Sequence, residues 1–110
     1  MDSKTEKKIQ EIQIIEQNLH NLLLQKQNFQ IELSENQNAL EEMKSSGEEV
    51  YKIIGQIMLK TDKKKLDEEL INQQKILELR IKTLEKQEQE LNNKIDSLRK
   101  DIFQDTKNNS

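Results

Sequence analysis

The sequence contains no proline, cysteine or tryptophan, and it has two glycines, one tyrosine and two phenylalanines. Without cysteine, neither a structural disulfide nor a thiolate metal site can form. Hydrophobic residues make up 32% of the 110 positions, and a chain this polar cannot build a large globular core. These absences exclude disulfide-rich scaffolds and large enclosed active sites. Charged residues reach 35%, which in a Leu-, Glu- and Lys-rich chain is typical of long helices or coiled coils.

Groups that carry enzyme chemistry are also scarce. His20 is the single histidine, and two isolated glycines cannot form a phosphate-binding loop. Carboxylate pairs such as Glu41-Glu42 occur where a solvated helix face is expected, without an enclosed site for general acid–base catalysis. We therefore expect a protein that is not an enzyme and that uses no cofactor and no metal.

Charge and hydropathy limit the classes of partner that the chain can bind. The formal net charge is −3, and all of the excess acid lies in the first 46 residues. Lys63-Lys64-Lys65 is the single basic run, so a nucleic-acid interface is disfavoured. No apolar run is long enough to span a membrane, and the polar stretch from Met1 to Lys8 does not resemble a signal peptide. We expect a soluble cytoplasmic protein.

A stretch without glycine or proline runs from about residue 3 to residue 45 and carries a heptad repeat, which predicts one long amphipathic helix. Lys26 and Asn36 interrupt the apolar seam, and such residues are expected to fix register or partner number. Ser45-Ser46-Gly47 ends the helix, with Gly47 suited to a left-handed C′ conformation. The predicted seam positions are Ile12, Ile15, Leu19, Leu22, Lys26, Phe29, Leu33, Asn36, Leu40 and Met43.

The pattern changes between about residues 50 and 60, where two β-branched runs flank Gly55-Gln56. This spacing predicts a β-hairpin with Gly55 at the first position of a two-residue turn. Alternation along the chain groups Tyr51, Ile53, Ile57 and Leu59 against Val50, Ile54 and Met58, so both faces are apolar. Because an isolated hairpin is marginal in water, we expect hairpins of several chains to pair edge to edge. The alternative is a hairpin that folds back over its own helices.

A second helix is predicted from about residue 63 to residue 105, with Asp62 as the preferred N-cap. Two helices of similar length with a short connection favour an antiparallel pair, in which Phe29 lies near Arg80 and Ile81. Ile9, Ile14 and Phe103 fall outside the seam near the chain ends and suggest a contact surface for another protein. A wide seam that closes over itself is the alternative. The second seam comprises Asp67, Leu70, Gln74, Leu77, Ile81, Leu84, Glu88, Leu91, Ile95, Leu98 and Ile102.

These features together resemble a β-type prefoldin subunit. The resemblance rests on Gly47-Glu48-Glu49-Val50-Tyr51-Lys52-Ile53-Ile54-Gly55, on Ile57-Met58-Leu59-Lys60, on Glu68-Glu69-Leu70 and on the run from Leu77 to Glu88. It covers roughly residues 5 to 105, and the single hairpin is similar to β-type rather than α-type subunits. The last of these runs looks closer to archaeal β subunits than to the eukaryotic subunit 6 class.

The resemblance implies a mainly α fold, with a long antiparallel two-helix coiled coil joined by one β-hairpin in a single domain. It also implies a heterohexamer of two α-type and four β-type subunits, whose hairpins form a β-barrel platform. The coiled-coil tips would hold unfolded polypeptides without ATP and deliver them to a group II chaperonin. The platform residues would be Val50, Tyr51, Ile53, Ile54, Gly55, Ile57, Met58 and Leu59. The client-binding residues would be Ile9, Ile12, Ile15, Ile95, Leu98, Ile102 and Phe103.

A structural coiled-coil adaptor is the rival function. In that role the helices act as a spacer and their ends bind one folded partner. The adaptor predicts a stoichiometric complex and no general affinity for unfolded chains.

Overall fold

The computed structural model describes residues 2–108. Two helices flank one hairpin, with α1 at Ser3–Ser45, β1 at Glu49–Ile54, β2 at Ile57–Asp62 and α2 at Lys63–Asn108. The predicted fold of two long helices joined by an antiparallel hairpin is confirmed. The chain divides into two compact units, the first comprising Met1–Gln27 with Lys82–Ser110 and the second comprising Asn28–Ile81.

Burial follows the predicted heptads. Every predicted seam position of both helices is buried or half-buried, including the polar ones. In α1 the buried seam side chains are Ile15, Leu22, Asn36 and Met43, which lie seven or fourteen residues apart. In α2 the most buried side chain is Leu77, at 1% exposure. The seam therefore supplies most of the apolar packing within each unit.

In the first unit, α1 and α2 segments pack antiparallel through Ile15, Leu22, Leu84 and Ile95. Ion pairs between the helices join α1 residues to α2 residues, and the two that involve Glu11 and Glu16 lie at the surface, where each contributes little stability. They are Lys8–Asp105, Glu11–Lys94, Glu16–Arg99 and Lys26–Glu88.

The two polar seam residues of α1 differ in the hydrogen bonds that their side chains form. Lys26 Nζ donates a hydrogen bond to Glu88 Oε2 at 3.0 Å, so this polar seam residue of α1 pairs with a polar seam residue of α2. Asn36 is 8% exposed, and its Oδ1 accepts no hydrogen bond. An unpaired buried acceptor weakens the seam at that level.

In the second unit, the guanidinium of Arg80 lies 5.5 Å from the ring centroid of Phe29. This cation–π contact confirms the predicted antiparallel register at that level. Met43, Val50, Leu77 and Ile81 are the buried apolar side chains of the unit.

The hairpin pairs Val50 with Thr61, Ile53 with Met58 and Ile54 with Ile57. Directly paired residues point to the same side of a sheet, and the two-residue turn reverses the alternation between strands. The predicted grouping by alternation along the chain is therefore wrong across the turn. The Val50 face carries Val50, Lys52, Ile54, Ile57, Leu59 and Thr61, and the Tyr51 face carries Glu49, Tyr51, Ile53, Met58, Lys60 and Asp62. Both faces are apolar, as expected.

Gly55 has a φ of 60°, whereas no non-glycine residue within 2–108 has a positive φ. A positive φ at the first central position alone defines a type II′ turn, whose twist matches that of the flanking strands. The predicted turn at Gly55-Gln56 is therefore confirmed.

Asp62 caps α2 as predicted, because its Oδ1 accepts a hydrogen bond from the Lys64 N–H at 3.3 Å. The predicted left-handed cap at Gly47 is wrong, since Gly47 has no positive φ. The hydroxyls of Ser45 and Ser46 instead donate to the Glu42 and Met43 carbonyls at 3.1 and 3.0 Å. Together with the Ser46 N–H, which also donates to the Met43 carbonyl at 3.3 Å, these hydroxyls satisfy carbonyls of the last helical turn without a left-handed glycine.

The two glycines form a matched pair for testing the turn. Gly55→Ala is expected to lower the free energy of unfolding by about 1–2 kcal/mol, because alanine is strained at positive φ. A methyl group added at either glycine would meet no atom within 4 Å beyond the adjacent residues of the chain, so a clash with the rest of the fold does not contribute. Gly47→Ala should cost nothing measurable. Urea titration followed by far-UV circular dichroism, at one protein concentration, checks both; equal losses would contradict the turn assignment.

The seam ion pair gives a second test. Lys26→Met is expected to destabilise the chain by about 1–2 kcal/mol, because Glu88 would be left half-buried without a partner. The double variant Lys26→Met with Glu88→Leu should be at least as stable as the natural sequence. Thermal or urea unfolding of both variants measures the difference. Equal destabilisation in the single and double variants would show that the pair itself contributes net stability.

Candidate functional site

Apolar side chains are exposed near the ends of the described chain, in the first unit. Phe103 is 70% exposed and Ile14 is 62% exposed, as their positions outside the seam predict. Ile9, Ile12, Leu98 and Ile102 are half-buried. Ile15 and Ile95 are each 5% exposed. We call Ile9, Ile12, Ile14, Ile15, Ile95, Leu98, Ile102 and Phe103 the terminal surface.

The heptad explains how these residues divide. Ile15 and Ile95 occupy seam positions, so their side chains are used in packing α1 against α2. Phe103 follows the seam residue Ile102, and Ile14 precedes Ile15, so both point away from the seam. The buried pair therefore holds the helices together, while the exposed and half-buried residues offer apolar area.

The helices at the terminal surface are also joined electrostatically. Lys8 Nζ donates to Asp105 Oδ2 at 2.7 Å, and about a fifth of each side chain is exposed. This hydrogen bond, with the charges of Asp105, Asp101 and Asp2, raises the pKa of Lys8 above its ordinary value, although desolvation opposes it. Because the raised pKa belongs to the folded state, its stabilising effect is complete below the ordinary lysine pKa. It is lost as the pH rises through the raised value.

A second set of exposed apolar side chains lies on the hairpin, in the second unit. We call Val50, Tyr51, Ile53, Ile54, Gly55, Ile57, Met58 and Leu59 the hairpin surface. Its large side chains other than Val50 are between 47% and 67% exposed, whereas Val50 is buried. Lys52 reaches Glu69 of α2 at 2.9 Å, and Lys60 reaches Glu49 across the hairpin at 3.2 Å. This exposure is what is expected of a hairpin that does not fold back over its own helices.

The strand edges add unsatisfied backbone groups. In a two-residue hairpin, the residues that flank the turn exchange hydrogen bonds, and inward-facing groups then alternate along each strand. With Ile54 paired to Ile57, the N–H and C=O groups of Glu49, Tyr51 and Ile53 point away from β2. The sheet has two strands, so neither edge is paired within the chain.

An apolar groove, which sequence reasoning missed, lies beside the hairpin. Its volume is about 570 Å³, and every strand residue that lines it belongs to β1. Val50 is the one buried residue of the two strands. A heptad pattern does not reveal where a strand residue packs. The lining residues are Ala39, Glu42, Met43, Ser46, Glu49, Val50, Tyr51, Lys52, Leu66 and Leu70.

Sequence reasoning also missed exposed apolar residues on the outer faces of the helices. Leu79, at 65% exposure, is the most exposed of them. Their positions outside the heptad seam were readable from the sequence, although a single exposed apolar residue on a helix is ordinary. The others are Leu23, Leu24, Ile31, Ile71 and Ile76.

The geometry offers binding surfaces rather than reactive groups. Across residues 2–108, no cluster of three or more His, Cys, Asp or Glu side chains is arranged to hold a metal ion. His20 is exposed on α1. Over the same residues, neither helix has a stretch both long and apolar enough to cross a membrane.

Comparison with known proteins agrees with these features. A sequence profile of the prefoldin subunit family matches residues 6–109. Prefoldin subunit beta of Thermococcus onnurineus is 42% identical over 89 residues, which cover 79% of this chain and 77% of the relative. Prefoldin subunit beta of Sulfurisphaera tokodaii is 37% identical over 93 residues, covering 83% and 74%.

The fold is similar to a solved structure as well. The prefoldin beta subunit from Thermococcus strain KS-1 superposes with a TM-score of 0.85 at 34% identity, over 92% of this chain and 90% of that one. Sequence and fold thus agree over nearly the whole chain, and the chain belongs to the prefoldin subunit family of chaperones.

Proposed function

We propose that this chain is a subunit of an ATP-independent chaperone, which captures unfolded polypeptides on the terminal surface and assembles through the hairpin surface. The observation that supports the proposal most directly is the exposure of Phe103 and Ile14, in a chain that belongs to the prefoldin family. Apolar attraction is non-directional, so it suits clients that share exposed hydrophobic side chains but no common sequence.

Capture is multivalent in this proposal. Burying exposed apolar area contributes about 25 cal/mol per Å², so one terminal surface alone gives a weak and rapidly reversible contact. Several subunits fixed on a common platform raise the effective concentration of each next contact, which tightens the hold on one client chain. Ile15 and Ile95 act indirectly, because they position the helices beneath the exposed residues.

The hairpin surface supplies the assembly contacts in this proposal. An exposed apolar hairpin with two unpaired edges favours association with further strands. The partners proposed are an α-type prefoldin subunit and other β-type subunits, two of the former and four of the latter, with the hairpins closed into a β-barrel. The assembly works in the cytoplasm and delivers its clients to a group II chaperonin, with no nucleotide bound by this chain.

Light scattering tests the proposal. A chemically unfolded model protein is diluted into nucleotide-free buffer with and without the assembled complex that contains this chain. Suppressed aggregation at near-stoichiometric complex is the expected result. A complex of full hexameric mass that suppresses nothing would instead favour a coiled-coil adaptor with one folded partner.

Variants of the terminal surface locate the client contacts. Phe103→Ser combined with Ile14→Ser is expected to weaken client capture about tenfold or more, since the complex loses exposed apolar area in every copy. Leu79→Ser is the matched control, because Leu79 is similarly exposed on α2 but lies outside the terminal surface. Capture is measured by titrating each complex against aggregation. If the control loses as much capture as the double variant, the contacts are not localised at the terminal surface.

Variants of the hairpin surface test assembly. Ile53→Asp or Ile57→Asp is expected to abolish the hexamer, because a buried unpaired carboxylate in the platform is strongly unfavourable. Ile76→Asp, on an exposed helix position, should assemble normally. Mass measurement by light scattering after size exclusion distinguishes them. A hexamer of full mass with either hairpin variant would refute the platform role.

A further inference from the structure

A second groove lies between α1 and α2 within the first unit, and its volume is about 470 Å³. We call it the amide groove, because half of its lining residues are asparagine or glutamine. The buried side chains of Leu22 and Leu84 supply apolar atoms to its lining. The amides are Asn18, Asn21 and Gln25 of α1 and Gln87 of α2.

The three amides of α1 continue a stripe that begins in the terminal surface. Ile14, Asn18, Asn21 and Gln25 follow one another at intervals of four, three and four residues, which places them on one face of the helix. All four side chains are exposed. We call Asn18, Asn21 and Gln25 the amide stripe. A polypeptide held against Ile14 therefore has the amide stripe as its next neighbour along α1.

The amides of the groove are available to a ligand. Across residues 2–108, none of these four side chains is hydrogen-bonded to another part of the chain. An asparagine or glutamine side chain has N–H donors and a carbonyl acceptor. These are the two kinds of group that a peptide bond presents, so each amide can pair with a peptide N–H, a peptide C=O or both.

The same stretch of α1 is almost without charge. From Gln17 to Gln27 the one charged residue is Lys26, whose ammonium group is paired with Glu88 in the seam. Such a surface neither attracts nor repels a ligand strongly on account of its charge. It suits the polypeptide backbone, which is neutral and common to every sequence.

We propose that the amide groove binds the backbone of an extended, unfolded segment through hydrogen bonds to the amide side chains. From Asn18 to Gln25, α1 rises roughly 10 Å. This is the length of about three residues of extended chain. The carboxylate of Glu90, which also lines the groove, can accept a further backbone N–H. This inference rests on the proposed function and specifies the chemical group of the client that is recognised.

The amide groove would distinguish an unfolded chain from a folded one. Peptide groups inside a helix or a sheet are already hydrogen-bonded, so a folded partner offers the groove few free groups. A partner helix packed on α1 would instead require apolar side chains at the positions of the amide stripe. Apolar attraction alone is non-directional and does not detect free peptide groups. The groove thus adds a criterion that the terminal surface lacks.

A pair of synthetic peptides tests backbone recognition on the natural protein. The probe is a capped, uncharged, fluorescently labelled peptide of alternating serine and leucine. Its control is the ester analogue, in which alternate peptide N–H groups are replaced by oxygen while the side chains are unchanged. The assembled complex that contains this chain is expected to bind the amide peptide about fivefold or more tightly than the ester, by fluorescence anisotropy. Equal affinity for both peptides would overturn the inference.

Leucine variants separate hydrogen bonding from apolar attraction. Asn18→Leu, Asn21→Leu and Gln25→Leu, combined in one chain, are expected to weaken binding of the amide peptide about fivefold or more, without weakening binding of the ester. If apolar contact held the peptide, the added leucines would tighten its binding instead. A matched control adds the same side chains at exposed positions of α1 that do not line the groove, and it should bind like the natural complex. The control combines Gln13→Leu, Gln17→Leu and Gln27→Leu.

The remaining outcomes are also decisive. A stripe variant that binds the amide peptide as tightly as the control variant does would overturn the inference. Loss of hexameric mass by the stripe variant alone would overturn it too, because the amide stripe would then be a contact between subunits. Aggregation suppression by the natural complex is read separately, and its failure would count against the proposed function. Suppression together with equal binding of amide and ester peptides would count against the amide groove alone.

Discussion

The packing of two heptad seams is the interaction on which the rest of the structure depends. No other apolar layer exists within residues 2–108 that could hold the helices, and all seam positions are buried or half-buried. Because the seam uses its apolar residues in this way, most of the large apolar side chains outside it, with Val50 the buried exception, are exposed to water. Phe103 and the hairpin are exposed for this reason, because a chain with 32% hydrophobic residues has little further apolar area to cover them.

The two surfaces have different physical character, which suits them to different partners. The terminal surface offers side-chain area on helices whose backbone groups are already hydrogen-bonded, so it discriminates little among apolar partners. The hairpin surface combines apolar faces with free backbone donors and acceptors at fixed spacing. A partner there must supply a strand whose backbone groups match that spacing. In the proposed function, capture and assembly thus use different elements of one chain.

Much of the fold was predictable from the sequence, because heptad spacing and Gly55 act locally. The seam positions, the Asp62 cap and the type II′ turn depend on residues within a few positions of one another. The two wrong predictions, the Gly47 cap and the grouping of the hairpin faces, depend on more than heptad spacing or a single glycine. Gly47 yields its capping role to the hydroxyls of Ser45 and Ser46, and the hairpin faces depend on how the turn changes the alternation. The groove beside β1 needs two helices and a strand together, so no local pattern reveals it.

The pairing of Lys26 with Glu88 has a consequence for how the chain finds its native alignment. Two heptad helices can slide past each other by seven residues and still match apolar seam positions. A slip of one heptad would set the Lys26 ammonium against Ile81 or Ile95 and strand Glu88 as well, which burial makes unfavourable. The pair thereby separates the native alignment from its shifted neighbours in free energy, so the helices are directed to one alignment among several that their leucines alone would allow.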